Sequence, residues 1–454
     1  METNYKTDWI ASQSIFYNEK NLRISHNIND VIDWADLELH PEGLFNYLRF
    51  GYSVFGQTPV KHVKFLLPHS EISVKDNQIH IKRREDTAIA GLHQHLYSES
   101  DIVDLMKEQI CEWAKAAKTI IVPTSGGYDS RLLNALVDER SKLRAFSYGA
   151  SPKHPEATKA ALLCKKLNIS WEYIELGKFH NYLDEWDELF GISTHAHGMY
   201  QMEFYHKINR KGYGGAAVLS GIIGDLWAGS INVPPIRSAD DVCLLGYTHN
   251  ATGDCTQSLL PHDNELLQTY FEEKREYLQD PVVRVLETVR LKIILLSYLL
   301  RVPQSLGFQP WSPFLNQELA LAMLNLPPDR RHHRLWQKEL FQKMGIDMEN
   351  LHINGSRKGH IVLNGIRQVP LKPLNTAILK EAINPDYVDW INRTLTNQSY
   401  ISYIYDDLMF TPYIKEVMKK MGLKHKRIDA YSAYLTLKPI ENLLLKRNEA
   451  RAKA

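Results

Sequence analysis

The sequence predicts an α/β protein built on a parallel sheet, with a helical C-terminal part and a small β-rich N-terminal region. Three observations carry that prediction. Between residues 119 and 220, short apolar runs alternate with stretches of helical spacing, as strands joined by helical crossovers do. Two of those runs end in glycine-bearing turns, Ser125-Gly126-Gly127 and Gly221-Ile222-Ile223-Gly224. After about residue 260, apolar residues recur at three- and four-residue spacing, interrupted by proline joints at 310–313 and 327–328. The expected divisions are 1–95 for the N-terminal region, 100–365 for the central α/β domain and 366–454 for a helical extension.

Taken in order, residues 60–67 and 78–82 read as β patches broken by polar turns. A helix over 102–117 leads into a buried strand at 119–122. The glycine turn follows, and Leu132, Leu133 and Leu136 give the next segment helical spacing. Residues 143–148, 171–176 and 216–220 are three further strands, with a helix over 154–167 between the first two. Helices are expected at 265–279, 282–301, 317–324 and 335–344. Tyr200, Phe204 and Tyr205 share a helix face that suits a core or the wall of a substrate pocket. Parallel strands with right-handed crossovers gather ligands beyond their carboxyl ends, where both glycine turns fall.

Composition narrows the class. Apolar residues make up 44% and charged residues 24% of the chain, as in ordinary soluble globular proteins. A net charge of +1 gives no electrostatic case for nucleic acid. Cys111, Cys164, Cys243 and Cys255 have no Cys-x-x-Cys spacing, so neither a zinc ribbon nor a disulfide framework is expected. Residues 1–6 lack an apolar stretch, so no secretory signal is read there. The most apolar run, 289–300, contains Arg290 and Lys292 and is too short to span a bilayer. Cytoplasm is the expected location, without a membrane partner. His195, His197, His332 and His333 lack acid or cysteine partners at metal-ligand spacing, so packed or solvated histidines are expected. The basic cluster Lys419, Lys420, Lys424, Lys426 and Arg427 reads as a solvated helix face.

A strand, a glycine turn and a helix start, in that order, place main-chain N–H groups and a positive helix end around an anion. Gly126 and Gly127 admit close approach of phosphate oxygens, and Ser125 and Ser130 add hydroxyl donors. The turn lacks the Lys-Ser/Thr ending of a Walker A loop, so a different manner of phosphate binding is implied.

Several ordered motifs together resemble one family. Ser125-Gly-Gly-Tyr-Asp-Ser130 is similar to the pyrophosphate-binding loop of the asparagine-synthetase-like family, within the PP-loop ATP pyrophosphatases. Ala145-Phe-Ser-Tyr-Gly149 resembles its adenine-side strand, and Leu219-Ser-Gly-Ile-Ile-Gly-Asp-Leu-Trp-Ala-Gly229 its second loop. Trp311-Ser-Pro-Phe-Leu-Asn316 with Leu326-Pro-Pro328, and Gly355-Ser-Arg-Lys-Gly359, are similar to its later motifs, the last normally carrying a lysine. Residues 42–51 and 60–68 resemble the end of the family's amino-terminal glutaminase domain. That domain uses an amino-terminal cysteine, whereas this chain has none before Cys111, so a truncated scaffold without glutaminase activity is expected.

The resemblance implies a PP-loop fold like that of the adenine nucleotide alpha hydrolases and an ATP-dependent, AMP-forming amide-bond synthetase. It would use ATP and Mg²⁺, adenylating a small-molecule or peptide carboxylate and coupling it to free ammonia, a small amine or an internal amine. Natural-product or surface-polysaccharide tailoring is the expected setting, with a homodimer or a biosynthetic partner protein compatible. By motif position, Ser125, Gly126, Gly127, Asp129, Ser130, Ser147, Gly149, Ser220, Gly221 and Gly224 would bind nucleotide. Asp129 and Asp225 would hold Mg²⁺, and Arg357 or Lys358 would take the late lysine's role as catalytic cation. Each has a plainer structural explanation: a helix N-cap for Asp129, a helix-start charge for Asp225, strand-end turns for Ser147, Gly149, Ser220 and Gly221, an exposed basic loop for Arg357 and Lys358. Arg131 either reaches the phosphates or caps the loop. Two other readings stay open, a PP-loop tRNA-modifying enzyme and a non-catalytic nucleotide-binding family member.

Overall fold

The computed structural model describes residues 4–94, 97–246, 252–349, 351, 360–396, 404–406, 409, 414, 417, 420 and 425–453. Its centre is a five-stranded parallel sheet of β7 (Ile120–Pro123), β8 (Leu143–Gly149), β9 (Ser170–Glu175), β10 (Ala217–Leu219) and β11 (Gln309–Trp311), in the order β11-β10-β7-β8-β9. The chain runs outward from β7 through β8 to β9, then returns to lay β10 on the other side of β7. The β7/β10 boundary is therefore the topological switch point, the crevice at which such sheets bind ligands. Register fixes it closely: Ala217 lies opposite Ile120 and Val218 opposite Ile121.

Successive side chains of a strand point to opposite faces, and here both faces are buried. Ile120, Val122, Ala217 and Leu219 join one core cluster, which includes Leu132, Leu133, Leu163, Val289, Ile293 and Phe314. Ile121 and Val218 join the other, with Phe146, Phe204, Tyr205 and residues of the C-terminal helix. This explains why β7 and β10 read as unbroken apolar runs.

The strands and helices expected over 119–344 are present, with differences at their ends. The helix over 282–301 is two, Pro281–Leu296 and Tyr298–Ser305, and 265–279 forms Glu265–Lys274 plus a short turn at Tyr277–Gln279. Strand β11, read from the sequence as a proline joint, is an edge strand; Pro310 pairs there with Val218, an edge being where a missing N–H is tolerated. Two small antiparallel sheets precede the parallel one. They are β1 (Tyr5–Lys6), β5 (Ser70–Lys75) and β6 (Gln78–Arg83) in order β1-β5-β6, and β2 (Phe16–Asn18), β3 (Ile24–Ser25) and β4 (Val63–Phe65) in order β3-β2-β4.

The basic tail departs from expectation. Lys420 and Lys426 are exposed, but Arg427 is buried with its Nε 2.8 Å from Asp406, and Lys419 and Lys424 lie outside the described residues. The helix Lys426–Lys453 that follows buries Tyr431, Tyr434, Leu435, Leu437, Ile440 and Leu444. Among the described residues no helix is long and apolar enough to cross a membrane.

Candidate functional site

The turn at 125–129 leaves the carboxyl end of β7, and the turn at 220–225 leaves that of β10. They touch: a methyl group on Gly221 would lie 3.2 Å from Asp129 Cβ and 3.9 Å from the Ser130 amide nitrogen.

The first turn is held from within and behind. Ser130 Oγ accepts from the Ser125 N–H at 3.3 Å and donates to the Gly127 carbonyl at 3.3 Å, while Ser125 Oγ accepts from the Gly127 N–H at 3.2 Å. Gly126 has φ of 75°, and a Cβ there would stand 2.6 Å from Lys159 Cβ, so both conformation and helix packing demand glycine. The helix Tyr128–Leu136 starts at Gly127 without a side-chain cap, in contrast to Ser98, Asp280 and Asn316 at other helix starts. Its first N–H groups and dipole face the exposed Gly127 side of the turn. Arg131 turns away from that side. It is 1% exposed and donates to the Gly126 carbonyl at 3.0 Å, the Ile346 carbonyl at 3.4 Å and both Glu349 carboxylate oxygens at 3.1 Å. Of the two roles open from sequence, the structure shows the one that fastens the loop.

The second turn starts at Ser220, whose N–H donates to the Trp311 carbonyl of β11 at 2.8 Å. Ile223 adopts φ of 58°, a left-handed backbone that a β-branched residue rarely takes. Gly224 leaves room for the Phe314 ring, 2.6 Å from where its Cβ would be, so packing accounts for that glycine. Asp225 then lies in the first turn of the short helix Gly224–Ala228 and accepts from Ser230 Oγ at 3.0 Å.

Asp129 and Asp225 feel one another's charge. Burial pushes the Asp129 carboxyl up to about 7, the Asp225 carboxylate adds to the rise, and Arg334 opposes it. The Asp129 side chain is 20% exposed, yet its Oδ1 is sealed from solvent and accepts no hydrogen bond among the described residues. A buried carboxylate oxygen without a hydrogen-bond donor costs stability, and carboxylates of this kind are ones that could hold a hard cation. The plainer reading of Asp129 as an N-cap does not hold, since Gly127 precedes the helix and Asp129 lies inside its first turn.

On the β8 side, Ser147 Oγ donates to the Thr124 carbonyl at 2.6 Å and accepts from the Trp171 indole at 2.9 Å. Its hydroxyl is thus committed to holding β7, β8 and β9 together, leaving its main chain for any ligand. Gly149, φ of 153°, lies at the end of β8 with the Tyr173 hydroxyl 3.0 Å from where a Cβ would be. Arg357 and Lys358 lie outside the described residues.

Two cations missed from sequence approach the carboxylates. Lys292, 3% exposed on the helix Pro281–Leu296, is pushed down to about 8 by burial while Asp225 pulls it back up. Arg334 Nη1 lies 3.9 Å from Asp129 Oδ1. The sequence signal for Lys292 was a lone cation among Leu291, Ile293 and Ile294; Arg334 had none beyond its charge. The histidine pairs build no metal centre: His195 caps a turn by accepting from the His197 N–H at 3.0 Å, and no group of three or more His, Cys, Asp or Glu that could hold a metal occurs among the described residues. The aromatic helix face at Tyr200, Phe204 and Tyr205 packs into the core.

No protein-family model matches the sequence, and no curated protein does. Solved structures similar to it include an NH3-dependent NAD synthetase from Campylobacter jejuni in complex with the nitrate ion, 16% identical, covering 44% of this chain and 96% of that one with a TM-score of 0.25. Others are NMN synthetase from Francisella tularensis (14% identical, 52% and 96% covered, TM-score 0.24) and a glutamine-dependent NAD+ synthetase from Acinetobacter baumannii in complex with ADP (12% identical, 68% and 56% covered, TM-score 0.24). Overlap at these scores carries no argument about this chain's activity.

Proposed function

We propose that this chain is an ATP-dependent, AMP-forming amide-bond synthetase. The observation that supports it is the meeting of the turns at 125–129 and 220–225 at the switch point of a parallel sheet, with one carboxylate from each and an Asp129 oxygen sealed from solvent that accepts no hydrogen bond among the described residues. Asp129 and Asp225 fit a Mg²⁺ ion, which favours carboxylates together with substrate phosphates. When bound it would neutralise charge on the triphosphate.

In this reading the adenine lies along the end of β8 at Ser147 and Gly149, and the phosphates over Ser125–Gly127 and the uncapped helix start. A carboxylate oxygen of the substrate attacks the α-phosphorus, the bond to the bridging oxygen breaks, and pyrophosphate leaves. An amine nitrogen then attacks the acyl carbon, loses its proton and displaces AMP. This chain's residues contribute mainly electrostatics: N–H donors of the first turn, the hydroxyls of Ser125 and Ser130, and cations gathered around the two acids. In this reading the amine is free ammonia, a small amine or an amine within the substrate.

The test is pyrophosphate release from Mg²⁺-ATP across amino acids, peptides and sugar acids, with and without ammonia. One acid should stimulate release, and Asp129→Ala should abolish it. Undiminished release in that variant would remove the metal assignment, and no stimulation by any acid would favour a nucleotide-binding protein without catalysis.

A further inference from the structure

His333 and Arg334 are consecutive residues with side chains at φ of 49° and 56°, both in the left-handed region. Such a pair persists only where its surroundings over-determine it, and strain of this kind gathers at ligand sites. Its surroundings here are specific. Arg334 immediately precedes the helix Leu335–Lys343, which is fixed to the helices that leave both turns: the Trp336 indole donates to the Ala228 carbonyl at 3.3 Å, and Phe341 packs edge-on against Tyr128 at 5.3 Å. The guanidinium of Arg334 lies 4.2 Å over the Tyr128 ring, at the first residue of the helix that leaves the glycine turn.

Its relation to Asp129 is not a finished ion pair. At 3.9 Å from Oδ1 it makes no hydrogen bond with that oxygen, and Oδ1 accepts none. Two other arginines do close the distance: Arg131 holds both oxygens of Glu349 at 3.1 Å, and Arg330 grips Glu99 and Glu339 at 2.6 Å each. Arg334 keeps a 24% exposed side chain, stacked and poised over an uncapped helix start.

Resting on the ATP reading above, we infer that Arg334 is a further catalytic residue of this site, binding the pyrophosphate half of ATP and stabilising it as it leaves. The location selects that half. The adenine end belongs to β8, whereas Tyr128 and Asp129 lie beside the glycine turn and Asp225. A planar guanidinium matches two phosphate oxygens in a way an ammonium does not.

Binding of ATP, AMP and inorganic pyrophosphate, each with Mg²⁺, is measured by calorimetry on the full chain and on R334M and R334K. Losing a charge-assisted contact should weaken ATP and pyrophosphate in R334M by about 10- to 100-fold while AMP stays within about twofold. R334K, which keeps the charge but not the fork, should recover part of the loss. Unaltered ATP and pyrophosphate binding in R334M would overturn the assignment and leave the ATP reading standing. Equal weakening of AMP and pyrophosphate, with a lowered melting temperature, would make Arg334 a structural residue only. A wild-type chain that binds none of the three would instead remove the ATP reading, and this inference with it.

Discussion

The helix Pro281–Leu296 carries buried charge into two settings that differ in one respect. Toward the N-terminal sheets, Glu287 accepts from the Tyr270 hydroxyl at 2.7 Å, Lys274 at 3.2 Å and Arg290 at 3.0 Å. Arg290 in turn grips both oxygens of Asp86 at 2.6 and 2.8 Å and the Trp9 carbonyl at 3.0 Å. Burial would push Glu287 up, but Lys274 and Arg290 outweigh it and hold the carboxyl low. Around Lys292, two residues further on, the acids face each other instead: Asp129 is driven up by burial and by Asp225, and its Oδ1 accepts no hydrogen bond among the described residues. Both settings bury ions at comparable depth. In the first, each carboxylate is hydrogen-bonded to a cation, while the second leaves an Asp129 oxygen without a hydrogen bond among the described residues, the Arg334 guanidinium standing 3.9 Å away.

The largest effect should come from breaking the first network. Arg290→Met leaves Asp86 without its bidentate partner and Glu287 with Lys274 alone, a buried-pair deletion costing about 3–5 kcal/mol. Asp86 and Glu287 both have folded pKa values below their unfolded ones, so their contribution is fully present above about pH 4.5 and is lost as pH falls through the folded values. Urea unfolding should therefore show a large gap between wild type and variant at pH 7 that narrows at pH 3.5. A gap under about 1 kcal/mol at pH 7 would erase the distinction between the two settings.

Asp129→Asn should move stability the other way. The amide keeps the shape and removes an ionised group that burial and Asp225 both oppose, so metal-free protein at pH 8 should gain roughly 1–2 kcal/mol while substrate-stimulated pyrophosphate release is lost. Opposite signs at Arg290 and Asp129 are what separate a structural network from a site held at stability's expense. A destabilised Asp129→Asn protein would mean that the carboxylate has partners enough already.

How much of this could be read from sequence follows the range of each signal. The two glycine turns were legible because strand, turn and helix start lie within a dozen consecutive residues, and their meeting followed from the alternation that makes a parallel sheet. Strand β11 was not, since it is three residues long, contains Pro310, and exists only by pairing with β10 some ninety residues earlier. The same holds for β1, whose two residues pair with Ile72 and Glu71 of β5. Lys292 and Arg334 come to the acids from helices far along the chain, so no local pattern marks them. Ser147 was legible as a strand residue, but its hydroxyl's tie to Thr124 and Trp171 needed the neighbouring strands.

The smallest effect expected is at Glu349, the ion-pair partner of Arg131 behind the first turn. Burial would raise this carboxyl, but its side-chain hydrogen bond with Asp347 and the Arg131 guanidinium that donates to it bring it down to about 2. Arg131 thereby joins the glycine turn, through the Gly126 carbonyl, to the segment ending at Glu349. Glu349→Gln keeps an acceptor for one of the two Arg131 contacts and removes the charge. Because Glu349 is 31% exposed, the loss should be only about 1 kcal/mol, read as a small shift of the urea midpoint. The Mg²⁺-ATP KM should stay within about twofold, since Arg131 keeps its bond to Gly126 and points away from the turn's exposed side. A KM that rises tenfold, equivalent to about 1.4 kcal/mol of binding, would show that the pair sets the geometry of the glycine turn. Arg131 and Glu349 would then belong with Asp129 and Asp225, and the boundary between scaffold and site would run through Glu349 rather than through Gly126.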